Sequence, residues 1–198
     1  MVPRVKLLAA TLAVTGAVSV LTPGLASANE FQPQIEQLLA NKIKPWLSDP
    51  VIISAVKAQN AEHDGLEQGR IDDLDQQWRD EAETGSGPLI DAVTGNDLSA
   101  FLSTKKTELD GVVSEMFVMD NIGLNVGQSD ITSDYWQGDE AKWQQTYPVG
   151  PDAVFIDEVE FDDSAEAFLS QASLTLVDPE TGVAIGAITI GINVEKLF

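Results

Sequence analysis

Apolar side chains fall at helical spacing in the first half of the chain and alternate with small or polar ones in the second. Phe31, Ile35, Leu38, Leu39 and Ile43 recur every three to four residues. That spacing predicts an amphipathic helix of about 15 residues, with Pro33 tolerable in its first turn. Asp49 and Pro50 supply the N-cap and first position of a second helix, whose apolar face carries Ile52, Ile53 and Val56. A third helix is predicted over residues 66–82, where Ile71, Leu74 and Trp78 are spaced by three and four among Asp and Gln. Residues 83–96 hold three glycines and a proline and are predicted to form a surface loop. Asn96 or Asp97 then caps a short helix with Leu98, Phe101 and Leu102. It ends near Lys105 and Lys106, where cations suit the negative end of the helix dipole.

The period then changes. Residues 112–119 and 124–128 flank Asp120-Asn121-Ile122-Gly123, a turn that offers the positive φ a hairpin needs. A third strand is predicted at 153–160. Residues 169–177 and 183–192 form the clearest hairpin, with Leu174, Leu176, Ile188, Ile190 and Ile192 on one face. Four helices followed by five strands describe an α+β domain with a mainly antiparallel sheet. No internal repeat interrupts it, so residues 29–198 read as a single domain.

Ahead of that domain, residues 1–28 have the form of a secretory signal peptide. Arg4 and Lys6 precede an apolar run, and Ala26-Ser27-Ala28 fits the small-x-small cleavage pattern. A retained membrane anchor is the alternative, but a run of roughly 15 apolar residues is short for a span that needs about 20. The expected location is therefore periplasmic or secreted, with no membrane span after cleavage. The chain has no cysteine, which an exported domain with an adequate core tolerates.

Taking the +2 of Arg4 and Lys6 from the formal charge of −21 leaves −23 for the mature chain. Nucleic-acid and anionic-membrane binding both depend on clustered Lys and Arg, and this balance excludes them. Between Thr107 and Glu195 there are eighteen acids and a single cation, Lys142. Such a run reads first as a solvated face. Residues 157–166 offer six carboxylates, a milder calcium possibility that lacks the order of a calcium loop.

His63 is the only histidine. One His and no Cys exclude a His- or Cys-built zinc site and thiol chemistry, and no G-x-S-x-G elbow accompanies a serine. His63 reads as a helix-end or surface residue. Paired carboxylates such as Asp139-Glu140 and Asp157-Glu158 would serve a hydrolase only if two faced one cleft. The best binding candidate is the aromatic group Tyr135, Trp136, Trp143 and Tyr147, with Gln137, Asp139 and Lys142 between the rings. Apolar walls with a few fixed polar groups make a pocket; equally, two of the rings could simply seal helix to sheet. One lysine among carboxylates suits a small neutral or cationic ligand, and aromatic faces also attract cations.

The order of elements resembles the extracellular PAS-like sensor domains called PDC or Cache. The resemblance rests on residues 115–123, similar to the "vvD..G" hairpin of such sensors, on residues 133–140 with Trp143, and on residues 187–192 of the last strand. It implies a five-stranded antiparallel sheet preceded by a long N-terminal helix and further helices. It also implies a small-molecule site beneath residues 129–148 and no cofactor. Amino-acid-binding relatives use a pattern like Tyr-x4-Arg-x-Trp-Tyr. Here Glu140 stands where the arginine would, so the carboxylate grip is absent unless Lys142 replaces it. Many relatives continue into an output domain; this sequence stops at Phe198 and looks like a stand-alone sensor module. A membrane receptor or kinase is then the expected partner, and the first helix is the natural surface for it or for a homodimer. The other reading is a ligand-free PAS-like interaction or scaffold protein. A hydrolase ranks last.

Overall fold

The computed structural model describes residues 29–162 and 166–198. The leader expected at 1–28 lies outside the described residues. Helix α1 (Gln32–Leu38) continues through a π turn (Leu39–Ile43) and a 3-10 turn (Lys44–Trp46), so the first helical run has about the expected length. Helix α2 (Pro50–Glu62) starts as its sequence dictates, with the Asp49 side chain accepting from Val51 N. Helices α3 (Gln68–Thr84) and α5 (Asp97–Glu108) follow, the latter capped by Asn96 accepting from Ser99 N.

Residues 83–96 are not a loop throughout: they contain helix α4 (Pro88–Thr94). Pro88 pre-sets its first turn. Ile90 and Val93, three residues apart, are buried. The Glu81 carboxylate on α3 accepts from Leu89 N and Ile90 N, both at 2.9 Å, and so caps the new helix from outside. The flanking glycines mask a helix that a tertiary cap completes.

The strands are β1 (Val113–Met119), β2 (Asn125–Gln128), β3 (Val154–Ile156), β4 (Glu160–Asp162), β5 (Ala167–Val177) and β6 (Ala184–Asn193). All pairings are antiparallel, in the order β2-β1-β6-β5-β3, with β4 also on β5. Six strands therefore stand where five were expected. The single strand foreseen at 153–160 is broken: β3 pairs with residues 172–174 of β5 and β4 with 167–169, end to end along one edge. The sheet remains five strands wide, the α+β PAS-like architecture that the resemblance implies. A short helix α6 (Ala141–Gln144) lies in the long β2–β3 connection.

One face of the sheet holds the core. Met116, Val118, Leu174, Leu176, Ile188 and Ile190 pack there against Ile35, Ile43, Ile52 and Leu102 of the helices. The other face is different. Along it, register aligns Glu115, Gly191 and Gln171 in one row, Phe117, Thr189 and Ser173 in the next, and Met119, Ala187 and Thr175 in a third. Its residues are small or polar except on β1, and among the described residues the β2–β3 connection covers it. Among the described residues no helix is long and apolar enough to cross a membrane.

Candidate functional site

The turn after β1 fixes the covering segment. Asp120 is fully buried. Its Oδ1 accepts from Ile122 N and Leu124 N at 2.9 Å, as an Asp opening a tight turn does. Its Oδ2 accepts from Gln59 Nε2 at 2.9 Å and meets His63 Nδ1 at 3.0 Å. His63 is thus the C-terminal cap residue of α2, held by a buried carboxylate. Gly123 has φ +89°, and a Cβ there would lie 2.5 Å from Gly138 Cα, so the turn and the covering segment touch backbone to backbone. Two indoles clasp the same turn. Trp136 Nε1 donates to Ile122 O at 2.9 Å, and Trp143 Nε1 donates to Asp120 O at 3.1 Å.

The candidate residues taken from the sequence separate into three places. Tyr135 and Trp136 face the helices: Tyr135 is buried and stacks on Trp78 at 5.4 Å. The backbone N–H groups of both donate to Asp75 Oδ1 at 2.9 and 3.0 Å. Arg79 Nη2 bridges Asp75 and Asp134 at 2.7 and 2.9 Å, completing that anchor. Trp143 and Tyr147 lie on the far side, packed on Phe117, Met119 and Ala187 of the sheet's second face. The space directly beneath Trp143 is filled by these side chains. Asp139 is exposed to solvent. Gln137 is buried, donates to Asp134 O at 2.9 Å and accepts from Lys142 Nζ at 3.3 Å.

Lys142 leads to an open site. Beside the filled region, where the Glu115 row of the sheet begins, lies a cavity of about 410 Å³. Its wall carries Glu115, Glu140, Asp157, Glu158, Glu160 and Asp162 against one cation, Lys142. Lys142 is only 14% exposed, pairs with Glu140 at 2.7 Å and lies 5.6 Å over the Phe117 ring. Glu115 forms part of the wall. A Cβ on Gly191 would meet Ser114 Oγ at 2.5 Å and Glu115 Cγ at 2.8 Å, so the glutamate lies across the space that glycine leaves. It thereby reaches β5, where Gln171 Nε2 donates to its Oε1 at 3.2 Å. Desolvation pushes the Glu115 carboxyl above the ordinary glutamate range, and Lys142 and Gln171 pull it partly back. Glu115 is thus a half-buried acid facing a cavity.

The Asp157 wall is held from a distance. Asn29 Nδ2 donates to Asp157 O at 2.6 Å and to Ser170 Oγ at 2.8 Å, tying the segment that leads into α1 to the cavity. Among the described residues no group of three or more acidic or histidine side chains could hold a metal ion; Asp163 of the acidic run is not described. Of the aromatic-segment candidates read from sequence, Lys142 lines this cavity, with Gln137 behind it, and it is joined there by Glu140 and by Asp157, Glu158, Glu160 and Asp162 of the acidic run. Glu115, Gln171 and Gly191 were missed. The available signal was a glutamate inside a mainly apolar strand.

No protein-family model matches the chain, and no curated relative does. Similar solved structures are sensor domains. The Vibrio cholerae histidine kinase DctB sensor domain shares 9% identity at a TM-score of 0.43, covering 85% of this chain and 56% of that one. The sensory domain of the Campylobacter jejuni chemoreceptor Tlp3 shares 11% at 0.41, covering 84% and 64%. The ligand-binding domain of the Pseudomonas fluorescens chemoreceptor CtaA, in complex with L-serine, shares 11% at 0.37, covering 84% and 60%. The chain thus spans between 56% and 64% of the length of these three neighbours.

Proposed function

We propose that this chain is a small-molecule sensor module of PDC/Cache type, exported to the periplasm or beyond, that takes a small organic cation in the acidic cavity on the second face of its sheet. One observation supports this most: Glu115, laid across Gly191 to Gln171, presents a desolvated carboxylate to a cavity whose rim is acidic and whose single cation, Lys142, already has Glu140 as a partner. In such a setting an amine exchanges hydration for charge-assisted hydrogen bonds. Lys142 lines the cavity, and Gln137 holds it from behind. Trp143 and Tyr147 fix α6 against the sheet, and Tyr135 and Trp136 fix the segment to α3. Asp139 contributes field from the exposed rim.

Output is proposed to run through the first helix. The link from Asn29 to Asp157 gives occupancy of the cavity a mechanical path to α1, which would then change its contacts with a membrane receptor, a kinase or a second copy. The acidic rim has no arginine, so it disfavours a ligand held by its carboxylate. The ligand-free scaffold reading keeps one point in its favour, the filled space beneath Trp143.

The test is a thermal-shift series with 1,4-diaminobutane, choline, succinate and calcium. At a hundredfold excess over Kd, a ligand that binds only the folded state adds about 2.7 kcal/mol. The amines are expected to raise the melting temperature, and the diamine shift is expected to vanish in Glu115→Gln. No shift with either amine, or an equal shift in Glu115→Gln, would refute the assignment and leave the scaffold reading.

A further inference from the structure

A second cavity, also of about 410 Å³, lies on the opposite side of the fold among α2, α3, α4 and β2. Its character differs from the acidic one. Leu66, Leu74, Leu89, Val93 and Val126 give it an apolar wall, and Gln59, His63 and Asn96 add polar groups. Tyr135, 3% exposed, closes it from behind with its ring stacked on Trp78. The Tyr135 hydroxyl makes no hydrogen bond among the described residues. Burial, aided by the charges of Asp120 and Glu62, raises its pKa and keeps it protonated. His63, with Nδ1 turned to Asp120, leaves Nε2 without a protein partner among the described residues.

Two opposite charges rim this cavity. Arg70 on α3 forms no ion pair among the described residues although the mature chain is strongly acidic, and Glu62 at the end of α2 forms none either. A cation and an anion on one cavity of mixed polar and apolar lining, neither neutralising the other, complement a molecule that carries both charges. A free anion would meet the repulsion of the whole domain, whereas a zwitterion does not. An apolar body of a few carbons fills walls of this kind, and the volume lies within the range of small-ligand sites.

We propose that this cavity is a second, independent binding site for a small zwitterion with an apolar body, its carboxylate on Arg70 and the Tyr135 hydroxyl and its ammonium on Glu62. The site does not depend on the acidic cavity. It gives the domain two inputs on opposite sides of the sheet.

Calorimetric titration of the purified protein with L-norleucine tests this, against hexanoate and hexylamine, which each carry one of its charges. Norleucine is expected to bind, and each single-charge analogue to bind about tenfold more weakly or worse, the loss of one charge-assisted contact. Arg70→Ala and Glu62→Gln are each expected to weaken norleucine by about the same factor. Both positions are exposed and unpaired, so unchanged melting temperatures will show that the variants fold. Ala92→Phe, at the exposed lip on α4, is expected to block binding, and Glu115→Gln to leave it intact. No binding of norleucine, binding equal in Arg70→Ala, tighter binding of hexylamine, or loss in Glu115→Gln would each overturn the proposal. The last result would relocate the ligand to the acidic cavity and leave that assignment standing.

Discussion

Glu115 costs the fold something that its position explains. A carboxylate whose folded pKa is raised binds more protons in the native state than in the unfolded chain. Its favourable contribution is complete below the ordinary glutamate value of 4.5 and is lost as pH rises through the raised value. Glutamine resembles the protonated acid and can still accept from Gln171. Glu115→Gln is therefore expected to melt no lower than the parent at neutral pH, and above it if the strain is large, while binding is lost. A lowered melting temperature would show that the carboxylate is structural. Gly191→Ala makes the complementary change. The new methyl group would sit 2.8 Å from Glu115 Cγ, so overpacking of about 1–3 kcal/mol is expected in urea denaturation. Diamine affinity should fall as the glutamate is displaced. Unaltered affinity would show that the reach across β6 does not matter.

Among the elements, the two helices flanking residues 85–87 depend on each other. Glu81 closes the open N–H groups of α4 from α3. Glu81→Ala should cost about 1 kcal/mol, the usual value of a helix cap, read as a shift of the urea midpoint. No change would mean that water caps α4 equally well. Most elements were legible in the sequence because their signals are local: Asp49 before Pro50, Asn96 before α5, and the alternation of Leu174, Leu176, Ile188 and Ile190. What was not legible depends on distant partners. Helix α4 needs a carboxylate from the preceding helix, and the break between β3 and β4 reflects pairing with a longer β5. The aromatic segment was read as the best binding candidate; its rings clasp the turn and seal two separate clusters. The acidic run of the cavity was visible, but the Glu115 side of it was not, because it is made by register. Glu115 and Gln171, 56 residues apart, meet only through the glycine between them.

At the scale of the whole molecule, charge dominates. A chain of formal charge −21 repels itself, and added salt screens that repulsion over about 10 Å at 0.1 M. The ion pair of Lys57 with Asp178 works against the repulsion by joining α2 to the β5–β6 turn at 2.9 Å. The hydrogen bond from Lys57 holds Asp178 below the ordinary aspartate value of 3.8. Its contribution is therefore present above 3.8 and lost as pH falls through the depressed value. Asp178→Asn is expected to flatten the acid limb of the pH–stability curve, and an unchanged acid limb would place the acid sensitivity elsewhere.

The central claim is that Glu115 must ionise to receive a cation, and proton-linked calorimetry reads this directly. Titrating 1,4-diaminobutane between pH 5 and pH 7, in buffers of different ionisation heat, should show protons released on binding at the lower pH and an affinity that rises with pH. Both effects should disappear in Glu115→Gln. An affinity independent of pH, with no proton release and no difference in the variant, would contradict the account.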